Sequence, residues 1–157
     1  MLAYRIVLKQ YSKKLFAPGI AGRWNGDGRK VIYSAESLSL AFIENMVRRR
    51  GVGFNDDFKT MILDVPDNLE MQTLSVDELP DGWRQFTDYS KCQSFGNAWY
   101  DQGTLPILKA PSAVLPDCFN FVINSLHPDF KKIKLLSVTD LIPDERIEEI
   151  LKKYPKT

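Results

Sequence analysis

Six side chains carry the chemistry this sequence offers: Arg23, Trp24 and Asn25 in a glycine-rich stretch, then Tyr33, Glu44 and Ser112. Gly22, Gly26 and Gly28 surround the first three, and glycine lets a ligand come close to the backbone. Arginine suits a pyrophosphate because its planar fork makes paired, charge-assisted hydrogen bonds. Trp24 and Tyr33 offer faces on which a flat ring can stack. The same residues also fit a surface arginine beside a glycine turn, with both aromatics in the core. No Gly-Lys-Ser/Thr follows and no G-x-G-x-x-G is present, so this is neither a P-loop nor a dinucleotide fingerprint.

Glu44 is anomalous by position. In a helix its neighbours three and four residues away include Leu40, Ala41 and Val47. A carboxylate therefore stands in an apolar stripe, whereas Glu36, Arg48 and Arg49 take wetter positions. Acids are seldom buried unless paired or functional; pairing with a nearby lysine or arginine is the structural alternative. Ser112 lies in Ala110-Pro111-Ser112-Ala113-Val114-Leu115-Pro116, where two prolines fix its surroundings. Gly-x-Ser-x-Gly is absent, so Ser112 is not on a nucleophile elbow. His127 is the sole histidine and precedes Pro128, which suits a turn better than a triad. Asp64 alternates with Phe58, Thr60 and Ile62, and a glycosidase-type pair with Glu44 is conceivable, although no spacing selects it.

Composition narrows the field. The chain has 157 residues, 44% hydrophobic and 26% charged, which suits one domain over residues 1–157 with a core of its own. A formal net charge of +1 gives no global field to recruit nucleic acid or an anionic membrane. The basic clusters at 48–50, 131–134 and 152–156 are short enough to be solvated surface. Cys92, Cys118 and His127 cannot assemble a zinc site, so no metal is expected, and two separated cysteines read as reduced thiols. Residues 1–14 lack the core of a signal peptide, and no apolar run approaches the ~20 residues of a membrane span. The expectation is a soluble, cytoplasmic protein with no membrane partner.

The elements that must position these groups follow from periodicity and punctuation. Residues 2–8 alternate as a half-buried strand, and Pro18 to Gly28 form a loop. A short strand at 31–34 leads to a helix over 36–50, with Ser34 as cap and Gly51 as stop. Strands are expected at 58–65, 69–74, 105–110, 119–123 and 132–138, with Pro106 limiting the pairing of the third of these. Residues 79–82 read as a turn. A second helix spans 89–102 despite Gly96, and a third spans 143–153, with Ile147, Ile150 and Leu151 in a stripe. The mixture lacks a βαβ rhythm. It points to an α+β fold, a single compact domain with a mainly antiparallel sheet.

The ordered set resembles the RES family, named for its arginine, glutamate and serine. The resemblance rests on Gly22-Arg23-Trp24-Asn25, Val31-Ile32-Tyr33-Ser34 and Leu40-Ala41-Phe42-Ile43-Glu44, then Gly96-Asn97-Ala98-Trp99 and the segment from Leu108 to Pro116. Asn120-Phe121-Val122-Ile123-Asn124 and His127-Pro128-Asp129-Phe130 complete it. The chain departs from the family where Asn124-Ser125-Leu126 replaces an Asn-Pro before the His-Pro, and where Ala110 replaces a valine. These changes leave the role of Asn124 open.

The resemblance implies an ADP-ribosyltransferase-like split sheet flanked by helices, with NAD+ as substrate in a central cleft. It implies the toxin of a bacterial RES–Xre pair. The partner would be an Xre-like helix-turn-helix antitoxin that occludes the cleft, with DNA bound only through that partner. Glu44 would stabilise positive charge as the nicotinamide–ribose bond breaks, and Arg23 would anchor a phosphate or orient the ribose. Tyr33 would stack on nicotinamide, Ser112 would bond the ribose or amide, and Trp24 and Asn25 would shape the pocket. The reaction expected is hydrolysis or phosphorolysis. Transfer of ADP-ribose to a protein is the alternative, and a non-catalytic nucleotide- or partner-binding module is the second.

Overall fold

The computed structural model describes residues 1–49 and 57–153. Its strands are β1 (Leu2–Leu8), β2 (Val31–Ala35), β3 (Phe58–Asp64), β4 (Met71–Thr73), β5 (Ile107–Pro111), β6 (Phe119–Asn124) and β7 (Lys134–Asp140). The helices are α1 (Leu38–Arg48), α2 (Ser90–Gln102) and α3 (Glu145–Lys153). The strands form one sheet in the order β4-β5-β6-β2-β1-β3-β7, antiparallel except for the β4–β5 pair. Strand β1 pairs with β3 along its whole length but meets β2 only through Tyr4 and Ala35. Two well-paired halves are therefore joined at a narrow seam.

Register and packing decide what covers each face. On one side Tyr33, Val122 and Leu108 come into line, as do Ala35, Asn120 and Ala110. Part of this face packs with Trp24, Trp83, Cys92 and Trp99, around α2. The rest packs under Leu40 and Ala41 of α1, beside Ile6 and Phe58. The other face, with Ala3, Ile32, Met61, Leu63, Phe121 and Ile123, is covered by Ala17, Val65, Leu69 and Ile133. Strand β1 is thus interior, with Ala3 and Ile6 both buried rather than one face only.

Several boundaries differ from the expected ones for local reasons. Ser34 and Ala35 remain in the β2–β6 ladder, so Ser34 is buried in the sheet and caps nothing. The cap is Ser37, whose extended backbone lets its hydroxyl accept from the Leu40 N–H at 3.1 Å. Gly51 and Arg50 lie outside the described residues. Strand β5 is interior, because Pro106 falls before it and only its carbonyl is used, accepting from Asn124 N. Strand β7 starts at Lys134 because Pro128–Lys132 form a 3₁₀ turn capped by His127, whose Nδ1 accepts from Asp129 N. His127 therefore serves a turn, as expected. Cys92 and Cys118 are unpaired.

Gly96, which weakens α2 by propensity, is required by packing. A Cβ there would lie 1.7 Å from the Trp24 carbonyl oxygen. On either side of this contact α2 grips the loop: Gln93 Nε2 donates to Gly22 O at 2.9 Å, and Asn97 Oδ1 accepts from Gly26 N at 2.8 Å. Backbone cannot yield as a flexible side chain does. Gly96→Ala is expected to lower stability by ~3 kcal/mol, the upper range for overpacking, read as a fall in the midpoint of thermal unfolding.

Candidate functional site

The loop that carries Arg23 is held from beneath. Asn25 is fully buried, and its Nδ2 faces the carbonyls of Ile20, Gly26 and Arg29. Its Oδ1 accepts from the Tyr33 hydroxyl at 2.6 Å, and that hydroxyl in turn accepts from Trp24 N at 3.0 Å. Burial raises the Tyr33 phenol well above its ordinary range, against the lowering effect of the Trp24 N–H bond and of the Arg48 and Arg23 charges. The hydroxyl stays protonated and is committed as a donor. Gly22 is a glycine for the same reason: a Cβ there would stand 2.7 Å from the Tyr33 hydroxyl oxygen. Gly22 and Gly26 thus accommodate the protein's own side chains, not a ligand.

Arg23 fastens a second segment. Its Nη1 donates to the carbonyls of Trp83 at 2.7 Å and Gln85 at 3.1 Å, and its guanidinium lies over the Tyr89 ring, 4.5 Å from the centroid. Arg84, between those carbonyls in sequence, donates through Nε to Ala113 O at 2.8 Å, just past Ser112. Residues 83–85 therefore strap the Arg23 loop to the Ser112 loop.

Glu44 sits at the centre. Its Oε1 accepts from Ser112 Oγ at 2.6 Å and from Asn120 Nδ2 at 2.6 Å. Ser112 is fully buried, and its oxygen also accepts from the N–H groups of Val114 and Leu115. That hydroxyl has one hydrogen, and Glu44 takes it. Both bonds fall on Oε1, so Oε2 is left without a hydrogen bond among the described residues. One carboxylate oxygen is fixed and the other is offered.

The structure places the expected residues in three roles. Glu44 and Ser112 are in direct contact, and Arg23 and Tyr33 belong to the adjoining loop network. Trp24, buried against Trp83 at 6.3 Å between ring centroids, and Asn25 support that loop from within. Neither presents a face to a ligand, because the packing of the loop on α2 consumes both. Asp64 is exposed beside Leu2 and Lys134, and among the described residues no contact joins it to Glu44. Sequence reasoning missed Asn120 as a partner of Glu44; its signal was an amide set on alternate positions of an otherwise apolar strand. Asn124 is a turn residue, its Oδ1 accepting from Leu126 N.

An α+β domain with a carboxylate held by a serine and an asparagine, beside an arginine-strapped loop, is the class that fold and site define. A family model described as the RES domain matches residues 2–146, and the chain belongs to that family. Among curated relatives, a protein named Prs ADP-ribosylating toxin from Sphingobium is 31% identical over 80% of each chain. One named Toxin Res, from Photorhabdus laumondii, is 29% identical over 84% of this chain and 86% of its own. The fold is shared with a chain in the crystal structure of the M. tuberculosis MbcT-MbcA toxin-antitoxin complex. That match has a TM-score of 0.70 and 18% identity, and covers 97% of this chain and 88% of the other.

Removing the Tyr33 hydroxyl leaves Trp24 N and Asn25 Oδ1 without their partner in a buried setting. Tyr33→Phe is expected to lower unfolding free energy by ~2 kcal/mol, the cost of unmet buried polar groups, measurable by urea denaturation.

Proposed function

We propose that this protein is the toxin of a bacterial toxin–antitoxin pair and that it destroys NAD+ by cleaving the bond between nicotinamide and ribose. The names of the two relatives and of the complex that holds the structural neighbour support the first part. The observation that carries the second is the Glu44 carboxylate, pinned at Oε1 by Ser112 and Asn120 with Oε2 open. We read the sheet, narrowed at β1–β2, as the split sheet of an ADP-ribosyltransferase-like fold, with the cleft at the seam.

As the glycosidic bond lengthens, its electron pair goes to the nicotinamide nitrogen and positive charge grows on the ribose, as in other oxocarbenium-like transition states. A fixed carboxylate favours that charge without having to reorganise. Glu44 is the electrostatic group and holds a ribose hydroxyl. Ser112 acts through Glu44, since its hydrogen is already spent there. Tyr33 offers its ring to the nicotinamide, and Arg23 orients the ribose or a phosphate. Water adding at the ribose carbon gives ADP-ribose, nicotinamide and a proton; inorganic phosphate adding there gives ADP-ribose 1-phosphate and nicotinamide. No metal enters either route. The antitoxin we expect is an Xre-like helix-turn-helix protein covering the cleft, with DNA bound through it, and the compartment is the cytoplasm, where NAD+ is at hand.

The Sphingobium relative's name favours a second reading, transfer of ADP-ribose to a protein side chain. Product analysis separates the routes: purified protein with NAD+, with and without phosphate, yields nicotinamide plus ADP-ribose or its phosphate. Label retained on protein would mark transfer instead. Absence of nicotinamide at high protein concentration would leave a non-catalytic binding module. Glu44→Gln keeps the size and removes the charge, and nicotinamide release should fall about a hundredfold. An undiminished rate in that variant would overturn the assignment of Glu44.

A further inference from the structure

Three guanidinium groups gather around Tyr33, and among the described residues none has a carboxylate partner. The acids of the ion pairs serve other cations: Asp67 the N-terminus, Asp101 Arg29, Asp140 Lys59, Asp129 Lys132 and Asp144 Arg146. Arg23 spends Nη1 on backbone carbonyls of the strap. Arg5 follows Tyr4, the last β1 residue paired with β2, and its Nη1 reaches across the opening seam toward Tyr33 O at 3.4 Å. Burial, and next the charge of Arg48, lower the Arg5 guanidinium to about 10. Arg48 stands four residues after Glu44 on α1, so the two share a helix face with Cβ atoms about 5–6 Å apart. It is exposed, its side chain makes no hydrogen bond among the described residues, and its charge acts on both Arg5 and Tyr33.

Cations collected in one place repel one another, partial burial of Arg5 adds to the cost, and the one acid of α1, Glu44, already spends Oε1 on Ser112 and Asn120. A bound anion would offset that repulsion. The forked donors match phosphate oxygens, and two adjacent guanidinium groups favour a group carrying more than one negative charge. Distance along α1 then links the two ends of the site. A ligand whose sugar meets Glu44 would carry its phosphate toward Arg48, one helical turn away.

We propose that Arg48, backed by Arg5 at the β1–β2 seam, forms a phosphate-binding site that adjoins Glu44, and that Arg23 is chiefly the fastener of the 83–85 strap. The ligand chemistry is a phosphate group, from either of two sources: the pyrophosphate of NAD+ or the inorganic phosphate acceptor. The identity of these ligands rests on the proposed function; the anion site itself rests on the arginines.

Titration calorimetry with ADP-ribose and, separately, with inorganic phosphate tests it on the full chain, as parent, Arg48→Ala, Arg48→Lys and Lys132→Ala. Parent protein should bind at least one probe. Arg48→Ala should weaken that binding about tenfold or more, Arg48→Lys should recover part of it as a point charge without the fork, and Lys132→Ala, next to Ile133 on the other face of the sheet, should change nothing. Loss confined to ADP-ribose assigns the pyrophosphate, and loss confined to inorganic phosphate assigns the acceptor. Equal affinities in parent and Arg48→Ala, or no binding of either probe by the parent, would overturn the proposal. Binding that depends on Arg48 without nicotinamide release from NAD+ would uphold the anion site and reject the proposed reaction.

Discussion

A carboxylate on the inward side of a helix must be solvated by something, and around Glu44 the solvating groups come from two distant strands. Ser112 directly follows β5 and Asn120 is the second residue of β6, and both aim a donor at the same oxygen. Isolated burial of that charge would cost several kcal/mol, so the three residues form one unit. The Pro111–Phe119 pairing of β5 with β6 brings the two donors together. The capped start of α1 sets the height at which the carboxylate meets them. A shift of one residue in the β5–β6 register would turn the donors to opposite faces.

The remainder of the site reads as scaffolding for that unit. The Asn25–Tyr33–Trp24 bonds hold the glycine loop onto β2, Gly96 lets α2 press against its backbone, and Gln93 and Asn97 fasten it. Arg23 and Arg84 then tie the 83–85 segment across the loops on either side. Polar groups fully spent on one another rigidify a site, whereas partly spent ones remain to meet a ligand. Here the partly spent groups are Glu44 at Oε2 and the guanidinium of Arg48, both on one face of α1.

Residue types and local pattern were enough to single out Glu44, because a carboxylate among Leu40, Ala41 and Val47 is legible from a helical period alone. The same period placed α1 and α2, and alternation placed most strands to within a few residues. His127 before Pro128 already read as a turn. The order of short segments from Gly22 to Phe130 was also sufficient for the family, since it needs no contacts to be compared.

What only the tertiary structure decided is how each polar group is spent. Ser34 was the expected cap; the β2–β6 ladder claims it, and Ser37 caps α1 instead. Trp24 and Asn25 had the chemistry of ligand contacts, yet packing on α2 buries both. Ser112 became a partner of Glu44 and Asn120 joined it through strand pairing between residues far apart in the chain, which no local window contains. Arg5 and Arg48 came together because α1 packs on β1, with Asn45 donating to Ile6 O. Sequence determines which groups can carry charge or donate a hydrogen bond, but non-local pairing determines which of them remain unsatisfied, and those are the groups left for a ligand.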